Sequence, residues 1–213
     1  MMNEIKTIVF ATGNSGKLRE IKEIFKELDL SILSMKEAGV FAEPEENGKS
    51  FEENSLIKAN AVRSLVDADH PDPESVIVMA DDSGLEIDCL DKAPGIMSAR
   101  FMGHDSSYDV KNNELLRRLS GVPDEKRTAR FVCAVSAVFF GGESLVTKKT
   151  MEGRIGYEIS GKNGFGYDPI FIADGYSVSN ACLSPEEKNE ISHRGKALRS
   201  MLEMIRERFE GNS

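Results

Sequence analysis

Five consecutive apolar residues, Val76-Ile77-Val78-Met79-Ala80, run directly into Asp81-Asp82-Ser83-Gly84, and this junction constrains the fold more than any other stretch. A continuous, β-branched run of that length bounded by turn residues reads as a buried strand, which needs other layers packed over it. The turn chemistry predicts that Asp81-Asp82-Ser83-Gly84 breaks this strand before a second apolar strand over residues 85–90. The acids then stand at a strand end on the sheet rim, where α/β proteins place ligands. Neighbouring strand residues point to opposite faces, so one aspartate enters a given site. A carboxylate there could hold Mg²⁺ and draw a proton from water, the two tasks of phosphoanhydride hydrolysis. An Asx-turn that merely ends a strand accounts for the same residues equally well.

The remaining pattern alternates strand and helix signals. An apolar, β-branched strand over residues 5–11 precedes the turn Thr12-Gly13-Asn14-Ser15-Gly16, after which Leu18, Ile21, Ile24, Phe25 and Leu28 recur at helical spacing. A second helix is predicted over residues 51–66, with Ser50-Phe51-Glu52-Glu53 at capping-box spacing. A third covers 108–119. Strands over 129–140 and from Val146 toward Tyr157 flank a Gly141-Gly142 turn and read as a long hairpin. Residues 161–169 form a glycine-rich loop, and the last helix carries Leu198, Met201, Leu202, Ile205 and Phe209 on one stripe. Crossover helices together with a hairpin predict an α/β fold with a mixed sheet. Repeats and long linkers are absent, so one domain over residues 1–213 is expected.

Composition removes several function classes. With 213 residues, 40% of them hydrophobic, the chain can bury a sizeable core. Its net charge of −9 repels nucleic acid and anionic membrane surfaces, so an anionic ligand must be held by a local cationic site. Nothing resembles a signal peptide or a membrane-spanning run, and a soluble cytoplasmic protein is expected. Cys89, Cys133 and Cys182 form no C-x-x-C pair and read as reduced side chains, with Cys89 and Cys133 in strands. His70, His104 and His193 are scattered, and no two stand four apart as a helical zinc pair requires. Any metal should therefore be a hard cation on carboxylates.

Three further stretches could carry chemistry. Thr12, Gly13, Asn14, Ser15, Gly16 and Lys17 lie between strand and helix, where backbone N–H groups and the helix dipole favour a phosphate. Leu18 stands where a Walker A loop would place Ser or Thr, and a tight turn with a solvated lysine explains the segment as well. Asn54 and Lys58, four apart on one helix face, could aim a carboxamide and an ammonium at one ligand, beside an acidic Glu45-Glu46 loop that could equally be solvated. Lastly, glycines around Phe165 would let its ring stack on a nucleobase while Asp168 bonds the base edge. His193 and Arg194 could donate to a purine 6-oxo group, which adenine lacks. A turn with two core aromatics and an exposed helix start are the plain alternatives.

Taken in order, six segments resemble the inosine/xanthosine triphosphate pyrophosphatase family, which acts on noncanonical purine nucleoside triphosphates. They are Ala11-Thr12-Gly13-Asn14-Ser15-Gly16-Lys17, Phe51-Glu52-Glu53-Asn54-Ser55-Leu56-Ile57-Lys58-Ala59, Ala80-Asp81-Asp82-Ser83-Gly84-Leu85, Ala93-Pro94-Gly95-Ile96-Met97-Ser98-Ala99-Arg100, Gly164-Phe165-Gly166-Tyr167-Asp168-Pro169 and Ser192-His193-Arg194-Gly195. The resemblance covers almost the whole chain. It implies an elongated mixed sheet flanked by helices, two lobes with a central nucleotide cleft, and a homodimer. By motif position Thr12, Asn14, Lys17 and Lys58 would hold the triphosphate, Glu45 and Asp82 one or more Mg²⁺ ions, and Asp82 would act as general base. Ser83, Phe165, Gly166, Tyr167, Asp168, Lys188, His193 and Arg194 would form the base pocket. A pyrophosphatase of different base preference, acting on dTTP or UTP, and a catalytically silent nucleotide sensor are the alternatives.

Overall fold

The computed structural model describes residues 5–26, 28, 30–103 and 105–210; His104 lies outside them. The elements in chain order are β1 (Thr7–Phe10), α1 (Ser15–Ile24), β2 (Ser31–Ser34), α2 (Phe51–Asp69), β3 (Val76–Ile87), α3 (Tyr108–Arg118), β4 (Thr128–Val138), β5 (Ser144–Ile155), β6 (Phe171–Ala173), α4 (Pro185–Ile191) and α5 (His193–Glu210). The strands form one six-stranded sheet in the order β2-β1-β3-β4-β5-β6. β1 runs parallel to β2 and to β3, with Thr7 opposite Val76 and Phe10 opposite Met79. β5 and β6 run antiparallel, Gly153 opposite Ala173. This is the mixed α/β sheet that the alternating pattern predicts.

The chain divides into two compact units. The first comprises the described residues through Asp82, with Cys133–Lys149 and those from Arg194 on; the second comprises Ser83–Val132 and Thr150–His193. In the first unit the two-residue period of the strands sorts the core. Ile8, Phe10, Ile77 and Met79 pack with Ile21 and Phe25 at α1 and with Ala197, Leu198 and Met201 of α5. Val9, Val76, Val78 and Ala80 pack instead with Ala59, Val62 and Val66 of α2. The sheet is thus buried on both faces, and each such Val, Leu or Ile contributes roughly 1.5–3 kcal/mol. The second unit has its own core, in which Leu85 and Ile87 meet Leu115, Leu119, Phe131 and Phe171. Here the buried Arg127 guanidinium donates to the Leu119 and Ile155 carbonyls, both at 2.8 Å, and to Gly156 O. It satisfies backbone acceptors at the end of α3 and the end of β5, which burial would otherwise leave orphaned.

Four sequence expectations need correction. Asp81-Asp82-Ser83-Gly84 does not break a strand: β3 continues from Val76 to Ile87 and the acids sit in its interior. The ladder tolerates them because cations from other segments neutralise both side chains. The strand expected over 85–90 ends at Ile87, and Asp88–Leu90 is a short 3-10 turn, so Cys89 is exposed and outside any strand. At α2 only half of the expected capping box forms. Ser50 accepts the Glu53 N–H at 3.1 Å, but the Glu53 carboxylate accepts from Lys49 N at 2.6 Å. Finally, α1 stops at Ile24, leaving Leu28 beyond the helix yet packed against the core.

Candidate active site

The strand period that sorts the core also sorts the two acids. Asp81 shares the face of Ile77 and Met79, toward α1 and α5, and is 1% exposed. Its carboxylate pairs with Lys17 Nζ of α1 at 2.9 Å and with Arg194 Nε of α5 at 3.2 Å. Arg194, itself 3% exposed, also pairs with Glu20. Burial pushes the Asp81 carboxyl up, but Lys17, Arg194 and Lys58 outweigh it and hold the group well below the usual carboxylate range.

Asp82 shares the face of Val78 and Ala80, toward α2. Asn54 and Lys58, one turn apart on that helix, both reach it: Asn54 Nδ2 donates to Oδ2 at 3.2 Å and Lys58 Nζ lies 3.4 Å from Oδ1. Asn54 Oδ1 meanwhile accepts from Gly48 N at 2.9 Å, tying the acidic loop to the same helix turn. Burial raises the Asp82 carboxyl; Lys58 and Lys17 oppose this, while Glu46 and Asp81 add to it, and the result lies above the ordinary value. The two neighbours are therefore driven in opposite directions. Asp81 is a locked anion, and Asp82 is a carboxylate crowded by like charge.

Lys58 Nζ is also 3.5 Å from Glu46 Oε1. The residue that reaches this cluster is thus Glu46, whereas Glu45 is exposed; the local sequence, two glutamates in a loop, holds no signal that separates them. Among the described residues no three His, Cys, Asp or Glu side chains gather closely enough to hold a metal unaided. One or two carboxylates that share a metal with phosphates and water are a common setting for a hard divalent cation. The mutual repulsion of Asp82 and Glu46 is what a divalent cation relieves.

The loop over residues 12–17 is organised by Asn14, the N-cap of α1. Its Oδ1 accepts from Gly16 N at 2.9 Å and Lys17 N at 3.1 Å, and its own N–H donates to Thr12 Oγ1 at 3.1 Å. Two of the helix N–H groups read as anion donors are thus capped from within, while Gly13, Asn14 and Ser15 remain exposed.

The second unit carries the residues read as a base pocket, apart from Arg194. Gly164 and Gly166 take positive φ, +73° and +71°, on either side of Phe165. Asp168 is 2% exposed; its Oδ2 accepts from Phe165 N at 2.8 Å and from Lys188 Nζ at 2.7 Å. The Lys188 ammonium also lies 4.8 Å from the Phe165 ring centre, a cation–π contact. A Cβ on Gly164 would meet Asp168 Oδ2 at 2.3 Å, so only glycine fits there. The Tyr167 hydroxyl donates to Ser98 O at 2.7 Å, joining this loop to the segment around Ser98. His193, 5% exposed, stacks on Phe131 with ring centres 4.8 Å apart and 8° between planes. Ser83 is partly exposed on β3. Sequence reading did not single out Glu20, Asn112, Phe131 or Asn180, none of which stands in a motif.

A family model described as the Ham1 family matches residues 8–204, from β1 into α5. The chain is 46% identical over 203 residues to a dITP/XTP pyrophosphatase of Clostridium perfringens, covering 95% of this chain and 98% of that protein. It is 42% identical over 212 residues to a dITP/XTP pyrophosphatase of Bacillus cereus, covering 99% and 100%. Among solved structures, a HAM1 protein from Coxiella burnetii superposes with a TM-score of 0.81 at 35% identity, covering 95% of this chain and all of that one. Sequence and backbone agree over nearly the full length, and the chain belongs to the Ham1 family.

Proposed function

We propose that this chain is a nucleoside-triphosphate pyrophosphatase that hydrolyses noncanonical purine nucleotides, ITP, dITP and XTP, to the monophosphate and pyrophosphate. The observation that carries the reading is Asp82, a buried carboxylate held by Asn54 and Lys58, with Glu46 paired to the same ammonium. Relatives that share more than two fifths of the sequence bear the name dITP/XTP pyrophosphatase, which supports the substrate class.

In this reading the Asp82 carboxylate accepts a proton from the water that attacks the α-phosphorus, and the α–β anhydride bond breaks to release pyrophosphate. Lys58 stabilises the charge that develops on the phosphate oxygens. Lys17 exchanges Asp81 for a phosphate oxygen, leaving Asp81 on Arg194. Thr12 and Asn14 complete the triphosphate contacts, together with the loop of Gly13, Ser15 and Gly16. Asp82 and a glutamate of the acidic loop would hold Mg²⁺, which would supply charge neutralisation for the triphosphate. Phe165 and Asp168 take the base, and donors from His193, Arg194 or Lys188 require the 6-oxo acceptor that ATP lacks.

The same reading makes residues 1–213 one functional domain, working in the cytoplasm as a homodimer with no nucleic-acid partner. Among the described residues no helix is long and apolar enough to cross a membrane. A panel of kcat/KM values for ITP, XTP, GTP and ATP with Mg²⁺ tests the proposal. ITP and XTP should exceed ATP by a wide margin, and equal values would remove the selectivity.

A further inference from the structure

Phe165 stands between two glycines in the left-handed region, and glycine rotates there without steric resistance. A ring flanked by two such swivels has no fixed plane unless its neighbours are anchored from outside the loop. Lys188 supplies one such anchor through Asp168, and two buried asparagines add others. Asn112 of α3, 1% exposed, donates Nδ2 to the Gly166 carbonyl at 3.1 Å. Asn180, 0% exposed, donates Nδ2 to Asp168 Oδ1 at 3.4 Å. The oxygens of both amides, Asn112 Oδ1 and Asn180 Oδ1, are buried without a hydrogen-bond partner among the described residues.

An unmatched buried oxygen weakens a fold relative to an apolar side chain of the same size. Leucine would fill the Asn112 site without that oxygen but would take from the Gly166 carbonyl its Asn112 donor, so the asparagine is kept for its N–H and not for packing. What the amide adds is one directed N–H, delivered to the carbonyl immediately after Phe165. We infer that Asn112 is a positioning residue for base selectivity: by pinning the Gly166 carbonyl it fixes the plane of the Phe165 ring against the Asp168–Lys188 pair. This role rests on the proposed function, which assigns those groups to the nucleobase.

Asn112→Leu removes the N–H and the unmatched oxygen together. The variant should melt close to the wild-type temperature, since the lost bond to Gly166 offsets the removed oxygen, and its kcat for ITP should stay within about twofold. Its KM for ITP should rise about tenfold, on the scale of losing part of a base–aromatic stack, and its ITP-to-ATP preference in kcat/KM should fall by a similar factor. Asn112→Asp, equal in size, turns an oxygen toward the Gly166 carbonyl and should raise KM at least as much, which keeps the test open should the leucine variant fail to fold. Folded variants with wild-type KM and preference, or a loss confined to melting temperature, would overturn this role while leaving the pyrophosphatase reading intact. A wild-type protein that releases no pyrophosphate from ITP would overturn both.

Discussion

The two units bury polar groups in opposite ways. In the first, charge is set against charge: Asp81 and Asp82 sit on opposite faces of one strand and are neutralised by side chains from α1, α2 and α5. In the second, a single carboxylate, Asp168, is matched by one lysine, one backbone N–H and one neutral amide, in a loop that turns on glycines. The first arrangement derives its geometry from rigid elements and stores a large local field. The second derives its geometry from directed hydrogen bonds and offers an aromatic surface. Phosphate chemistry needs the field, and base reading needs the surface.

The sharpest way to break this comparison is Asp81→Asn. Removing the carboxylate leaves the buried Arg194 and the partly buried Lys17 without it, and breaking a buried pair of this kind costs about 3–5 kcal/mol, measurable by denaturant unfolding at neutral pH. Because the folded Asp81 carboxyl lies below its ordinary value of 3.8, its contribution is fully present above that value and is lost as pH falls through the lower folded one. The variant should therefore lose acid-side stability dependence as well; a variant as stable as wild type would show that the charge cluster is not a structural lock.

A smaller effect is expected in the second unit. Gly164→Ala places a Cβ against Asp168 in a left-handed backbone conformation, which should cost about 1–3 kcal/mol and raise KM for ITP. Unchanged unfolding and KM would mean that the loop is not held as described. The smallest effect distinguishes the two glutamates. Glu46→Gln should raise the Mg²⁺ concentration for half-maximal rate about fivefold, the scale of one partly exposed ion pair, and Glu45→Gln should leave it unchanged. The reverse result would return the ligand role to Glu45.

Much of the fold was legible because long periodic segments dominate it. β1, β3, β4, β5 and the helices α1, α2, α3 and α5 all follow from runs that bury many side chains. β2, which buries one residue of four where β1 buries three, and β6, of three residues, carry too little pattern to read. α4 had a signal that went unread: Pro185 at its first position and a full capping box between Ser184 and Glu187. Asp81-Asp82 misled for a physical reason, since an acidic pair ends a strand unless distant cations neutralise it, and Arg194 lies 113 residues away from Asp81. The site was legible as a set of motifs, yet which acid meets which cation depends on helix placement over the sheet. Strand alternation gave half of that answer, and only packed helices gave the rest.

The central claim is that Asp82, crowded by Glu46 and held by Lys58, is the group that makes a bound triphosphate react. Pyrophosphate release from ITP with Mg²⁺, followed in wild type and in Asp82→Asn with ITP binding measured alongside, tests it most directly. The account predicts a fall in kcat of at least about 10²–10³-fold with nucleotide binding still measurable. Near-normal turnover in the variant would contradict it.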